Sequence, residues 1–218
     1  MGKNILVVAA TAKEINPFIE LTRTGVINNA DILISGIGLT ASTYHLAKQL
    51  ALKKYDLVIQ AGVAGCFDLR IPLGTVVAVR QDTIADQSVV ELQKLKTLFD
   101  LNLVPQDQYP YKKGWLLNTN KEVLKKTKLK IVKGISVNQI STSKQMIKFY
   151  RDVFDPVTES MEGAALHYVC LMENIPFVQL RSISNYIGER NKKKWDMMDS
   201  IINLNNKLTS LIKMFNDQ

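Results

Sequence analysis

The chain has 218 residues, 46% hydrophobic and 22% charged, which is enough for a single domain spanning 1–218 with a full core. Its apolar runs are strand-length, which excludes a membrane-spanning helix, and its two cysteines, Cys66 and Cys170, form no C-x-x-C pair and exclude a disulfide framework. The net charge of +8 sits in lysine runs at 125–133 and 192–194 with little arginine; no nucleic-acid-binding motif accompanies it, so these runs read as solvated surface with a weak pull on anionic ligands.

In chain order, "MGKNILVVAATA" imitates a signal peptide with an A-x-A site at Ala10–Ala12, but twelve residues are too few. A buried strand over 4–10 is the better reading, and the composition fits a bacterial-type cytoplasmic enzyme. "TAKE" (11–14) follows with the spacing of a capping box, Thr11 with Glu14. "DILISGI" (31–37) is the next strand, and "TASTYHLAKQLALKK" (40–54) a helix capped at Thr40 with Tyr44, Leu46, Leu50 and Leu52 as its apolar stripe. Strands over 56–62 and 74–84 follow, then "LNLVPQDQYPYKKGW" (101–115), a long surface loop of the kind that serves as a lid or binding segment. A strand over 130–137 leads to a helix over 141–153, with Thr142 and Gln145 at capping-box spacing. "MEGAALHYVCLMEN" (161–174) is another helix, "PFVQLRSIS" (176–184) a strand, and 191–215 a long amphipathic closing helix.

Strand–helix alternation with continuous Val/Ile-rich strands predicts an α/β fold. Its architecture would be three-layer α/β/α around a mixed, largely parallel central sheet, with ligands at the carboxyl ends of the strands.

Several residues stand where chemistry could occur. Gly36-x-Gly38-x-x-Ala41 matches a dinucleotide fingerprint, but the following strand ends Gln60-Ala61-Gly62 without the acid that holds a ribose. That argues against a nicotinamide cofactor and for a glycine turn, at Gly38, that approaches another ligand. "QAGVAGCF" (60–67) reads as a second such turn, with Gly62 and Gly65. Glu14, at the carboxyl end of a strand, is either a capping residue or a general base. Glu162, in an apolar helix start, needs a partner, either sugar hydroxyls or a helix N-terminus. His45 and His167 have no ligand-like neighbours in sequence. Asn185 ends the strand in "LRSISN" and presents a neutral amide.

Taken in order, "VVAATAKE", "SGIG", "AGVAG", "SMEGAA" and "RSISN" resemble the nucleoside phosphorylase/nucleosidase family, the purine- and uridine-phosphorylase-like fold, over nearly the whole chain. Within it the segments are most similar to the methylthioadenosine/S-adenosylhomocysteine nucleosidases and futalosine hydrolases. The resemblance implies that Glu14 activates water and that Met161 packs under the ribose. Glu162 would bind the ribose hydroxyls, and Asn185 would handle the purine. Ile140 falls where the nucleosidases carry an aromatic residue that stacks on the base. No metal or organic cofactor is implied, the expected partner is a small nucleoside rather than nucleic acid or membrane, and the branch implies a homodimer or higher homo-oligomer.

The related phosphorylases hold phosphate with an arginine and a serine at positions that here are Gln60 and Val63, so hydrolysis is favoured. Val63 also departs from the serine of the nucleosidases. An amide at 185 can donate to a 6-oxo group and accept from N7–H, which suits hypoxanthine and makes futalosine, of menaquinone biosynthesis, the favoured substrate. The expected mechanism cleaves the N-glycosidic bond through an oxocarbenium-like state. A methylthioadenosine-type nucleosidase, a 6-oxopurine nucleoside phosphorylase and a non-catalytic nucleoside-binding protein are the alternatives. Lys112, Lys113 and Arg190 are candidates to meet the carboxylate of futalosine's 5′ arm.

Overall fold

The run Ile5–Ala9 is buried along its whole length, and its side chains alternate between two apolar layers. Ile5, Val7 and Ala9 join one core, and Leu6 and Val8 join another. That is the signature of a strand covered on both faces. The computed structural model describes residues 3–216. In order, its elements are β1 (Ile5–Ala9), α1 (Asn16–Arg23), β2 (Ala30–Ile34), α2 (Leu39–Leu52), β3 (Leu57–Cys66), β4 (Val76–Asp82), β5 (Ser88–Glu91), β6 (Lys94–Thr97), β7 (Tyr111–Lys112), β8 (Trp115–Leu117), α3 (Lys121–Lys126), β9 (Lys130–Ser136), α4 (Lys144–Phe154), β10 (Thr158–Ser160), α5 (Gly163–Met172), β11 (Phe177–Tyr186) and α6 (Met197–Asn216). Short 3-10 turns, Ala12–Ile15 and Lys192–Lys194, precede α1 and α6.

On one face Phe18 of α1 and Leu204, Leu208 and Phe215 of α6 cover β1, β3 and β11. On the other, Leu46 and Leu50 of α2 and Leu166 and Val169 of α5 do so. The result is the three-layer α/β/α architecture. β2, β1, β3 and β11 are joined by parallel pairings. β4 is antiparallel to β11 and parallel to β9, and β10 is parallel to β9 and antiparallel to β3. Pairing therefore runs from β3 through β11, β4, β9 and β10 back to β3, and the centre of the mixed sheet closes on itself. No helix among the described residues is long and apolar enough to cross a membrane.

Several expectations are corrected. "QAGVAG" is no turn: β3 runs straight through Gly62 and Gly65 to Cys66, because both glycines make room for side chains rather than bend the chain. α2 begins at Leu39 with Gly38 in the N-cap position, so Thr40 lies inside the helix, and α4 is capped by Ser143, whose hydroxyl accepts from Met146 N, not by Thr142. The 101–115 segment is partly ordered as strand: β7 and β8 form a hairpin whose two-residue turn, Lys113–Gly114, has positive φ at both positions, the geometry such turns favour. α6 starts six residues later than expected, after the 3-10 turn.

Candidate active site

The carboxyl ends of β1, β3 and β11 open onto a cavity of about 450 Å³ lined by Glu14, Ile140, Met161, Glu162 and Asn185 among others. That volume suits a small organic ligand. Glu14 follows β1, Asn185 lies at the end of β11, and Met161 and Glu162 follow β10, which runs antiparallel to β3, so strand ends of both directions converge on one rim.

Glu14 comes from the 3-10 turn just after β1. The amide and hydroxyl of Thr11 donate to its Oε2 at 3.0 and 3.1 Å, and Val63 N donates to its Oε1 at 3.2 Å. The capping box aims the carboxylate, and the carboxylate lines the cavity. The Val63 side chain offers no polar group, and its backbone amide makes the contact instead.

Glu162 occupies the N-cap position of α5 and is buried. Gly38 N, at the start of α2, donates to its Oε1 at 2.9 Å, so a helix N-terminus does partner it. Burial raises its carboxyl above the usual range, Arg181 counteracts this, and the nearby Glu14 adds to the rise. Gly38 and Gly62, expected to approach a ligand, do not line the cavity. Gly38 serves Glu162, with φ of +89° that favours glycine. A Cβ at Gly62 would overlap Arg181 Nη1 and come within 3.1 Å of Glu14 Oε1.

Arg181 is the residue the sequence reading passed over inside "RSISN". It is 2% exposed, its Nη2 donates to Gln60 Oε1 at 2.6 Å, and Gln60 Nε2 donates to the Glu162 carbonyl at 3.2 Å. An arginine within the strand run "PFVQLRSIS" was the signal available. Val137, fully buried, also lines the cavity, whereas Ile140 is 46% exposed and lies at its edge, shared with a neighbouring cleft.

Asn185 owes its aim to a bulge: the register of β11 on β3 shifts between Ile183 and Asn185. Its Oδ1 accepts from Ser184 Oγ at 3.0 Å and its Nδ2 donates to the Tyr186 carbonyl at 3.2 Å, and Gly65 leaves its side of β3 clear, a Cβ there standing 3.4 Å from Nδ2. Of the cations proposed for a 5′ arm, Arg190 lines the cavity, with its guanidinium 5.6 Å from the centre of the Trp195 ring. Lys112 lines a different cleft, at the amino end of β11. Lys112 and Lys113 belong to the hairpin of β7 and β8, at the far end of the sheet order, and neither reaches this cavity. His45 Nδ1 meets the Ser35 carbonyl and His167 Nδ1 the Leu116 carbonyl, both at 2.9 Å.

The model of the Phosphorylase superfamily matches residues 4–215. The chain is 24% identical over 195 residues to a futalosine hydrolase of Streptomyces coelicolor, covering 85% of this chain and 81% of that one. It is 27% identical over 180 residues to a 5′-methylthioadenosine/S-adenosylhomocysteine nucleosidase of Maridesulfovibrio salexigens, covering 76% and 73%. Its fold matches a mutant Helicobacter pylori MTAN, solved with 5′-methylthioadenosine in its active site, with a TM-score of 0.80 and 23% identity, over 98% of this chain and all of that one.

Proposed function

The chain belongs to the Phosphorylase superfamily, and we propose that it is a nucleosidase that hydrolyses the N-glycosidic bond of a 6-oxopurine nucleoside, futalosine being the favoured substrate. The observation that carries this reading is that Glu14, Met161, Glu162 and Asn185 line one cavity, to which Asn185 brings a neutral amide. The similar futalosine hydrolase supports it.

In the proposed mechanism Glu162 takes the ribose hydroxyls while Gly38 N holds its Oε1. Glu14, aimed by Thr11 and Val63, orients a water and accepts its proton as the bond to the base lengthens. Asn185 donates to O6 through its NH₂ and accepts from N7–H through its carbonyl, which stabilises the leaving base. Met161 packs beneath the sugar, and Val137 and Ile140 supply apolar wall for the base. The positive charge that builds on the sugar in an oxocarbenium-like state lies between two carboxylates. Arg190, held against Trp195, is the cation we assign to the carboxylate of a 5′ arm.

A second reading, a methylthioadenosine/S-adenosylhomocysteine nucleosidase, draws on the likeness to that enzyme of Maridesulfovibrio salexigens. Incubation with futalosine, methylthioadenosine and inosine, with and without phosphate, separates the cases. Release of hypoxanthine from futalosine in phosphate-free buffer is the expected result. Adenine from methylthioadenosine as the main product would favour the second reading, and an absolute need for phosphate would make the protein a phosphorylase.

A further inference from the structure

Glu162 is the residue immediately before α5, so whatever fixes the first turn of α5 fixes its carboxylate. That turn rests on a group the mechanism above does not use. Ala164 N donates to Ser136 Oγ at 2.8 Å, and Ser136 Oγ donates to Asp82 Oδ1 at 2.9 Å, with Ser136 and Asp82 fully buried. Gly163, between Glu162 and Ala164, lies so close that a Cβ there would overlap Asp82 Oδ2 and Gln179 Nε2. One turn further along α5, His167 is fully buried, and the Gln179 amide is the side-chain group that acts on its ring.

Hydrogen-bond accounting over this cluster fixes its protons. A carbonyl only accepts, so the contact to the Leu116 carbonyl places a proton on His167 Nδ1, and Nε2 of the neutral ring accepts. With Gln179 Nε2 toward Asp82 Oδ2 at 3.2 Å, both Gln179 Oε1 and His167 Nε2 are buried without a partner. Turned end for end, a change that leaves the shape of the amide unaltered, Gln179 donates to His167 Nε2 and offers Oε1 to Asp82. Gln179 Oε1 is then paired with Asp82, provided Asp82 carries a proton, and the amide NH₂ is turned toward the His167 ring. Burial acts in the same sense on both acids, pushing Asp82 up to about 6 and His167 down to about 4. Arg181 of β11 is the charged group that acts on Asp82; His167 of α5 faces it across Gln179, and Ser136 of β9 presents its hydroxyl.

We infer that Asp82 is a positioning residue for Glu162: through Ser136 it pins the Ala164 amide, through Gln179 it pins His167, and together these hold the first turn of α5 and the carboxylate at its head. The inference rests on the proposed role of Glu162 as the ligand of the ribose hydroxyls. When Asp82 loses its proton, Gln179 turns back and the anchor at His167 is lost.

The test compares wild type, S136A, D82N and D82A on the ribonucleoside that the protein cleaves and on its 2′-deoxy analogue, alongside the chemical shift of the Ala164 amide against pH. S136A is expected to lower the preference for the ribonucleoside by about threefold to tenfold, the worth of one hydrogen bond. Assayed below pH 6, where wild-type Asp82 carries its proton, D82N, which mimics the neutral acid, keeps the wild-type preference where D82A loses it. The Ala164 amide titrates in wild type and is flat in D82N. If D82A does not fold, S136A and D82N decide the matter. Equal loss on both nucleosides in S136A, a D82N that loses the preference, or an Ala164 amide that does not titrate in wild type overturns the inference. If wild type cleaves no nucleoside, the functional reading fails instead, and the Ala164 titration still decides whether Asp82 is coupled to α5.

Discussion

Arg181 and Gln60 bind one another in the core: Arg181 Nη2 donates to Gln60 Oε1 at 2.6 Å, with both side chains 2% exposed. Gln60 Nε2 in turn donates to the Glu162 carbonyl, so the amide is engaged through both its oxygen and one of its two N–H groups. Its role is to tie the strand that carries Arg181 to the residue that carries the second carboxylate.

Glu14→Gln is expected to lower kcat by about 10²–10⁴-fold, the usual worth of a general base. Stability should fall by about 1–3 kcal/mol at most, since the amide oxygen still accepts from Thr11 while its NH₂ meets Val63 N–H donor against donor. Steady-state kinetics with thermal melting checks this. A modest kinetic effect with a large drop in Tm would leave Glu14 as a capping residue alone.

Gly62→Ala drives a methyl into Arg181 Nη1 and toward Glu14 Oε1. Overpacking of this kind costs about 1–3 kcal/mol, or roughly 2–12 °C in Tm for a chain of this size. We expect kcat/KM to fall at least about tenfold as well, because the guanidinium or the Glu14 carboxylate must give way. Unchanged kinetics in the variant would detach Arg181 from catalysis.

Asn185→Asp should shift preference from 6-oxopurine toward 6-aminopurine nucleosides. A carboxylate oxygen in place of NH₂ opposes an acceptor to O6, whereas a protonated acid can donate to N7 and accept from an amino group. A mispaired buried group costs about 1–3 kcal/mol, so the specificity ratio moves by about tenfold or more. The comparison is kcat/KM for futalosine against aminodeoxyfutalosine in both proteins, and an unchanged ratio would show that the side chain does not touch the base.

Asp82 and His167 give a test in stability against pH. The folded-state value for Asp82 is raised from 3.8 to about 6. Its contribution is therefore full below 3.8 and lost as pH rises through about 6. His167 is lowered from 6.5 to about 4, so its contribution is full above 6.5 and lost as pH falls through about 4. Between pH 4 and 6 the two oppose each other, each on the order of 3 kcal/mol, and wild-type stability is expected to be nearly flat. D82N keeps the histidine alone and should lose stability on acidification through that window, as urea denaturation at stepped pH would report. Parallel curves for the two proteins would contradict the buried pair.

The sequence by itself determined the main strands and the three-layer architecture, because Val/Ile-rich runs are local signals, and its resemblance to a known family pointed to Glu14, Met161, Glu162 and Asn185, which line the cavity. It did not determine the hairpin of β5 and β6, whose turn at Leu92 and Gln93 has positive φ at both positions without a glycine or asparagine to announce it. Nor did it separate a glycine that bends the chain from one that leaves space. Gly62 and Gly65 sit in a straight strand because Arg181 and Ile187, more than a hundred residues away, need their room. Thr142 and Thr40 carry capping chemistry in sequence, yet Ser143 caps α4 with its hydroxyl and Gly38, without a side chain, precedes α2, since the packing of each helix start decides where the helix begins. The aim of Asn185, the burial of Arg181 behind Gly62, and the seat of α5 on Asp82 were likewise decided in three dimensions. They depend on pairings between β3, β11, β4 and β9, which lie far apart in sequence and leave no periodicity in any one segment.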